Sequence, residues 1–221
     1  PVITWDPQRL ASRDDIAFAG RVFARTLTAY APNVDPDAQD RLVGDLATDT
    51  GTASDDLKTW SFTLREGILW QDGTPVTCAD AAYGIPRSFA SKDLPGGSTD
   101  ALAVLAIPRQ ANGTSTYAGP YATGPAAAAG QAAFDKAVSC VGQKLTFTLS
   151  TPLGDFNELV SQPAFGPVKK SVDKGPEGVY EVFSAGPYVL EKPWVPGEGG
   201  TFVRNPHWAR SADPVRRAHP D

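Results

Sequence analysis

Thr59-WSFTLREGILWQDGTPVTCADAAYGIP-Arg87 reads in order as a strand, a turn, a short strand, a tight turn and a capped helix. Trp60, Phe62 and Leu64 alternate with Ser61, Thr63 and Arg65, the period-two pattern of a strand with one buried face. Glu66-Gly67 breaks that run, Ile68 and Trp70 begin a second short alternation, and Asp72-Gly73 is a turn dipeptide. Thr77-x-x-Asp80 has capping-box spacing and opens a helix carrying Tyr83 and Ile85. Pro86 has no amide hydrogen to give, so this helix is expected to kink or end near Ile85.

Flanking segments are read by the same rules. Ile3-Thr4-Trp5-Asp6-Pro7 is a short strand ending in an Asp-Pro turn. Ser12-x-x-Asp15 is a second capping box, and Ile16, Ala19, Phe23 and Leu27 repeat at helical spacing, which predicts a helix to about Tyr30. Asn33 to Asp49 is a polar connection with a short helix around Gln39 to Val43. Ser91 to Gly130 is rich in Gly, Ala and Pro and reads as a loop-rich excursion with helical pieces, the later from about Pro125 to Lys136. Val138 to Val141 and Leu145 to Ser150 form a hairpin, with Leu145, Phe147 and Leu149 facing in.

Composition narrows the function classes. A chain of 221 residues with 41% apolar and 20% charged residues is an ordinary globular composition. A net charge of −5 with no Lys/Arg-rich run argues against a nucleic-acid surface, and no apolar run is long enough to span a membrane. Twenty prolines and 21 glycines predict long connections between short elements. With only His207 and His219, and no P-loop, G-x-G-x-x-G or zinc motif, enzyme readings have little to build on. Adjacent carboxylates such as Asp14-Asp15 and Asp55-Asp56 read as solvated caps and turns, although a hydrolase with two catalytic carboxylates stays open. Cys78 and Cys140 are a disulfide in an exported protein, or two small buried residues in a cytosolic one.

The first stretch resembles the signature of family 5 solute-binding proteins, the peptide- and nickel-binding receptors of bacterial ABC importers. Phe62, Leu64, Arg65, Gly67, Trp70, Asp72, Gly73, Thr74, Pro75, Val76, Thr77, Asp80 and Arg87 fall on the family pattern, while Cys78 and Pro86 depart from it. Two further blocks fit in order: Ser184-Ala185-Gly186-Pro187-Tyr188-Val189-Leu190 resembles G-[TS]-G-P-Y-x-[LI], and Phe202 to Trp208 resembles x-x-R-N-x-x-[YW].

The resemblance implies an α/β, periplasmic-binding-protein-like lobe with a mixed sheet plus a smaller β-rich subdomain. Residues 1–32 and 164–221 would make the main part and 33–163 the inserted subdomain. The chain would be the N-terminal lobe of a longer protein, with the second lobe and a lipid anchor outside it. It further implies an extracytoplasmic monomer without cofactor or enzymatic activity, serving ABC permease subunits. In an exported protein Cys78 and Cys140 would be bridged, tying helix to sheet.

In this family the ligand lies between two lobes. The first-lobe loops map to Ala11, Ser12 and Arg13 and to about Leu94 to Ser98, including Gly96 and Gly97. Arg13 is either a carboxylate holder or an exposed first-turn residue, and Trp5 either an aromatic wall or core. Structural roles are expected for the signature itself. Asp72-Gly73-Thr74-Pro75 holds a turn, Gly186-Pro187 fixes a strand entry with Tyr188 in the core, and Arg65 and Arg87 pair with carboxylates such as Asp80. The rival readings are a receptor for nickel chelates or oligosaccharides, a carbohydrate-active hydrolase and a chemosensory ligand-binding domain. Paired carboxylates facing a closed pocket would favour the hydrolase.

Overall fold

A computed structural model describes residues 2–31, 35 and 41–216. In chain order the elements are α1 (Arg13–Val22), β1 (Thr28–Tyr30), β2 (Leu42–Gly44), β3 (Thr52–Ala53), β4 (Thr59–Thr63), α2 (Cys78–Arg87) and α3 (Asp100–Val104). There follow α4 (Pro125–Ala137), β5 (Val138–Val141), β6 (Lys144–Thr148), α5 (Phe156–Leu159), β7 (Tyr188–Leu190) and β8 (Phe202–Arg204), with several single-turn 3-10 segments between them.

β4 is one of the two inner strands of the largest sheet, whose order is β3-β4-β6-β5. Its register with β6 places Trp60 opposite Phe147 and Phe62 opposite Leu145. Apolar residues of both strands therefore share one face, and Phe62, Leu145, Phe147 and Phe156 are fully buried there. The β5–β6 hairpin and α4 match the sequence reading closely.

The signature turn forms as expected. Gly73 takes φ +80, its N–H donates to the Trp70 carbonyl at 2.9 Å, and Asp72 Oδ1 accepts from the Thr74 amide at 3.0 Å. Thr77 and Asp80 then cap each other reciprocally, at 3.2 Å and 2.8 Å, to start α2. Pro86 is the next-to-last residue of α2, which ends at Arg87, close to the end expected near Ile85. It stands in the last turn, where it withdraws a single hydrogen bond, and the Ser88 and Phe89 amides close the end onto the Ile85 and Pro86 carbonyls at 3.2 Å and 3.0 Å.

Four expectations are corrected. The first helix stops at Val22, not near Tyr30. Phe23 leaves helical geometry to stack on Phe202 at 5.8 Å, Arg25 turns into a buried ion pair, and the β-branched positions Thr26 and Thr28 flank Leu27 ahead of a strand. That strand pairs with Leu42–Gly44, so no helix runs through Val43; Gln39 and Asp40 lie outside the described residues. Residues 3–6 form no strand and Pro7 begins a 3-10 turn: the Trp5 amide donates to the Val179 carbonyl at 2.9 Å, and the Asp6 carbonyl accepts from the Arg9 and Leu10 amides. Finally, the expected mixed sheet is not found: every strand pairing among the described residues is antiparallel, including that of β4 with β6, which are joined through α2, α3 and α4.

The larger core is built on the four-stranded sheet, α2 and α4, and takes Leu27, Ala185 and Ala212 from the flanks. A second core gathers Trp5, Leu10, Ala19, Phe23, Ala24 and Leu190. Cys78 and Cys140 are disulfide-bonded with Cα atoms 6.0 Å apart, joining the first turn of α2 to β5. Behind the first core lies a charged network closed to water. Arg25 pairs with Asp45 at 2.6 Å, and Arg216 reaches Asp45 at 3.0 Å and Asp213 at 3.3 Å, all with side chains at most 4% exposed. Burial alone would raise the Asp45 pKa, but the Arg216 and Arg25 guanidinium groups bring it down to about 2.

Two outcomes follow. Closing a loop across 62 residues is worth about 4 kcal/mol in the chain-entropy description, so a Cys78→Ala/Cys140→Ala double variant should lose about 2–4 kcal/mol in urea unfolding. Asp45 is more acidic folded than unfolded, so its stabilisation is present above about pH 4 and fades as pH falls toward 2. Unfolding free energy should drop by about 2 kcal/mol more between pH 5 and pH 2 in the native chain than in Asp45→Asn.

Candidate functional site

Asp6-Pro7 opens a 3-10 turn, Pro7–Arg9, with Asp6 Oδ1 accepting from the Gln8 amide at 3.0 Å. Arg87, the last residue of α2, meets Asp6 fork to fork, Nη2 to Oδ2 at 2.7 Å and Nη1 to Oδ1 at 2.9 Å. Its Nη1 also donates to Gln8 Oε1. Its Nε reaches Asp173 Oδ2 at 3.2 Å and the Tyr121 hydroxyl at 2.8 Å. Tyr121 and Tyr83 both donate to that Asp173 oxygen, at 2.6 Å and 2.8 Å. One guanidinium thus binds the N-terminal turn, the signature helix and the 173 loop together.

The electrostatics follow from this packing. Burial opposes the Arg87 charge, but Asp6 and Asp173 outweigh it and raise its pKa. Burial would raise the Asp173 pKa, yet the hydrogen bond from Tyr121 and the charge of Arg87 hold it below the usual carboxylate range. Burial and then the Asp173 contact push the Tyr83 and Tyr121 phenols up, so both remain protonated donors at neutral pH.

This hub is one wall of a cavity of about 170 Å³. Trp5, Trp70, Phe183, Val168 and Val182 line its apolar side. Lys169 also borders it, paired with Asp72, donating to Thr74 Oγ1 at 2.7 Å and lying 5.3 Å from the centre of the Phe183 ring. The hydrogen bond from Lys169, with that from Thr74, lowers the Asp72 pKa to about 2. Asp72 therefore shapes its own turn and also anchors a lysine on the cavity. Gly84 approaches the Gly166 carbonyl so closely that no Cβ fits, which sets the Gly166–Val168 wall directly against α2.

The expected site residues divide. Trp5 lines the cavity and is also core, packing edge-on to Phe23 at 5.7 Å and to Trp194 at 5.3 Å. Ala11, Ser12 and Arg13 are exposed at the start of α1, with Ser12 Oγ accepting from the Asp15 amide at 3.4 Å. Leu94 is buried, Gly96 exposed and Gly97 half-buried against the Gln8 carbonyl, where a Cβ would not fit. Arg9 Nε donates to the Pro95 carbonyl at 3.0 Å. The 95–97 segment thus packs on the Pro7–Arg9 turn, which precedes residues 11–13 in the chain, and neither predicted loop lines the cavity.

Signature residues also differ in detail. Neither Arg65 nor Arg87 pairs with Asp80, because its carboxylate is occupied by the Thr77 cap and by Trp70 Nε1 at 3.3 Å. Arg65 instead donates to the carbonyls of Asp45 and Ala47, at 3.4 Å and 3.3 Å. Gly186 and Pro187 are buried ahead of β7, whereas Tyr188 is half-buried rather than core, being the first residue of a short two-stranded sheet. Asp173 and Tyr121 as partners of Arg87, and Tyr83 as a donor to Asp173, are not anticipated from the sequence. The available signal was Asp6 and Arg87, opposite charges in two separate motifs.

Asp6 and Asp173 both face the cavity, the arrangement that could favour a hydrolase. Both are held by Arg87, and Asp173 is made more acidic, whereas a catalytic acid needs its proton retained by a raised pKa. Among the described residues no group of three or more His, Cys, Asp or Glu is placed to hold a metal ion.

Residues 41–220 match the family described as bacterial extracellular solute-binding proteins, family 5 Middle. The chain belongs to the family 5 solute-binding proteins. It is 32% identical over 165 residues to the periplasmic oligopeptide-binding protein OppA of Salmonella typhimurium, covering 72% of this chain and 28% of that protein. It is 31% identical over 176 residues to the periplasmic murein peptide-binding protein MppA of Escherichia coli, covering 73% of this chain and 28% of that one. Among solved structures, clavulanic acid biosynthesis oligopeptide binding protein 2 superposes with a TM-score of 0.83 at 32% identity, over 98% of this chain and 36% of that chain. The chain therefore spans about a third or less of the length of these relatives. Its fold is an α/β lobe of the family 5 kind, and the relatives it matches are named as binding proteins, not enzymes.

In this family 5 lobe Arg87 neutralises two buried carboxylates. Arg87→Met should therefore lose about 3–5 kcal/mol in chemical unfolding, because Asp6 and Asp173 stay buried without a counter-charge. The loss should shrink at low pH, where Asp173, which the charge of Arg87 helps to keep acidic, takes up its proton.

Proposed function

We propose that the protein is the substrate-binding component of a bacterial ABC importer, capturing oligopeptides between this lobe and a second one and handing them to the permease. The observation that carries this reading is the similarity, over most of the chain, to proteins named for binding oligopeptides and murein peptides. Ala11, Ser12 and Arg13, with Gly96 and Gly97, form the ligand-facing edge of this lobe; the packing of the 95–97 loop on the Pro7–Arg9 turn, just ahead of residues 11–13, supports that assignment. Arg13 is exposed there, and its guanidinium suits a peptide carboxylate. Residues 33–163 act as the β-rich subdomain and the flanks as the main part of the lobe.

Closure of two lobes would divide the affinity between them and exclude water from the peptide main chain. The protein works outside the cytoplasm as a monomer held near the permease by a lipid anchor. A disulfide between Cys78 and Cys140 suits such an oxidising compartment.

Isothermal calorimetry of the full-length protein with a pool of short peptides tests this reading. Saturable binding is expected, about tenfold weaker in Arg13→Ala for peptides with a free carboxylate, the usual worth of a charge-assisted hydrogen bond. If the native protein takes up no peptide, the peptide assignment falls, and nickel chelates and oligosaccharides become the ligands to screen.

A further inference from the structure

The 95–97 segment is anchored on both sides. Leu94 is buried with its amide donating to the Ala90 carbonyl at 2.7 Å, and Ser98 Oγ accepts from the Asp100 amide at 3.1 Å. Between these anchors Pro95, Gly96 and Gly97 make a single hydrogen bond among the described residues, from Arg9 Nε to the Pro95 carbonyl at 3.0 Å. Gly96 takes φ +86 with open space around it, and two adjacent glycines leave the backbone many other conformations. The position of this loop therefore depends on what it rests against.

It rests against the Pro7–Arg9 turn, which is itself fixed. Gln8 is 1% exposed, its Nε2 donates to the Gly166 carbonyl at 3.4 Å, and its Oε1 accepts from Arg87 Nη1. Its carbonyl closes on Gly97, where no Cβ fits. The Leu10 amide donates to the Asp6 carbonyl at 3.1 Å, so the same turn also sets the chain that enters residues 11–13. Arg9 is thus the side chain through which a rigid turn grips a loop with little hold of its own. We propose that Arg9 is a positioning residue for ligand capture: its Nε–H fixes the Pro95 carbonyl and so keeps Gly96 and Gly97 in place at the ligand-facing edge, without Arg9 touching the ligand. The inference rests on the peptide-capture reading and adds to it how one of the two loops is held. A loop that is only partly in its binding-ready place weakens the apparent affinity in proportion.

Arg9→Met and Arg9→Gln separate the hydrogen bond from the charge. Both remove the guanidinium, but the glutamine Nε2 lies as many bonds from Cα as the arginine Nε and can still donate to the Pro95 carbonyl. Calorimetry of the full-length protein with the pool of short peptides should show affinity about fivefold weaker in Arg9→Met, the worth of one hydrogen bond, and near the native value in Arg9→Gln. In the deuterated, ¹⁵N-labelled protein without peptide, the order parameter of the Gly97 amide should fall in Arg9→Met and be kept in Arg9→Gln. Gly97→Ala, whose Cβ would collide with the Gln8 carbonyl, displaces the loop from the other side, so adding Arg9→Met to it should weaken binding no further. Equal losses in Arg9→Met and Arg9→Gln would show the charge meeting the ligand directly and overturn the proposal. Native affinity in Arg9→Met, or full additivity with Gly97→Ala, would overturn it as well. If the native protein binds no peptide, the peptide reading fails, and the order parameter alone decides whether Arg9 holds the loop, an unchanged value in Arg9→Met overturning it.

Discussion

The buried network of Arg25, Asp45, Asp213 and Arg216 is the constraint that the rest of the structure has to satisfy. Four charges taken out of water are each expensive, and they are tolerable only when every partner is in place. The partners come from the end of the first helix, the loop after β2 and the far end of the described chain. Arg216 also donates to the carbonyls of Gly20 and Ala24, both at 2.7 Å, so it closes the C-terminal side of α1 directly. Trp208 Nε1 donates to Asp213 Oδ2 at 2.9 Å, which brings the R-N-x-x-W block into the same arrangement. Misplacing any one segment would strand a charge, so the network acts as a condition on the whole topology.

Arg87 does for the cavity what that network does for the lobe. It sits where the signature helix ends, and it fixes the turn at Asp6 and the loop at Asp173 relative to that helix. Phenol donors Tyr83 and Tyr121 share the Asp173 oxygen with Arg87, and the Gly175 amide donates to the other oxygen. The result is a rigid polar wall facing a soft apolar one. Rigidity of this kind suits a receptor, in which a preformed surface lowers the cost of ordering on binding.

Much of this could be read from the residues. The alternation of Trp60, Phe62 and Leu64, the turn at Asp72-Gly73 and the cap at Thr77 are local signals, and the structure keeps them because local and tertiary preferences agree. The helix expected to reach Tyr30 failed for the opposite reason: Arg25 and Phe23 are claimed by partners at Asp45 and Phe202, which no window around residue 25 contains. The same holds for the polar hub. Asp173 lies in a stretch without periodicity, and its importance depends on three residues brought from positions 83, 87 and 121. Trp5 was legible as either wall or core because an indole can be both, with rings packed on part of it and a cavity against another part.

The bridge between Cys78 and Cys140 bears on how the hairpin is proofread. Cys140 stands opposite Leu145 in the β5–β6 register, and side chains alternate faces along a strand. A slip of one residue would turn the thiol away from α2 and carry it beyond bonding reach. Oxidation can therefore complete only in chains whose hairpin has already found the right alignment. The covalent bond records a correct pairing and keeps β5, an edge strand, from sampling another.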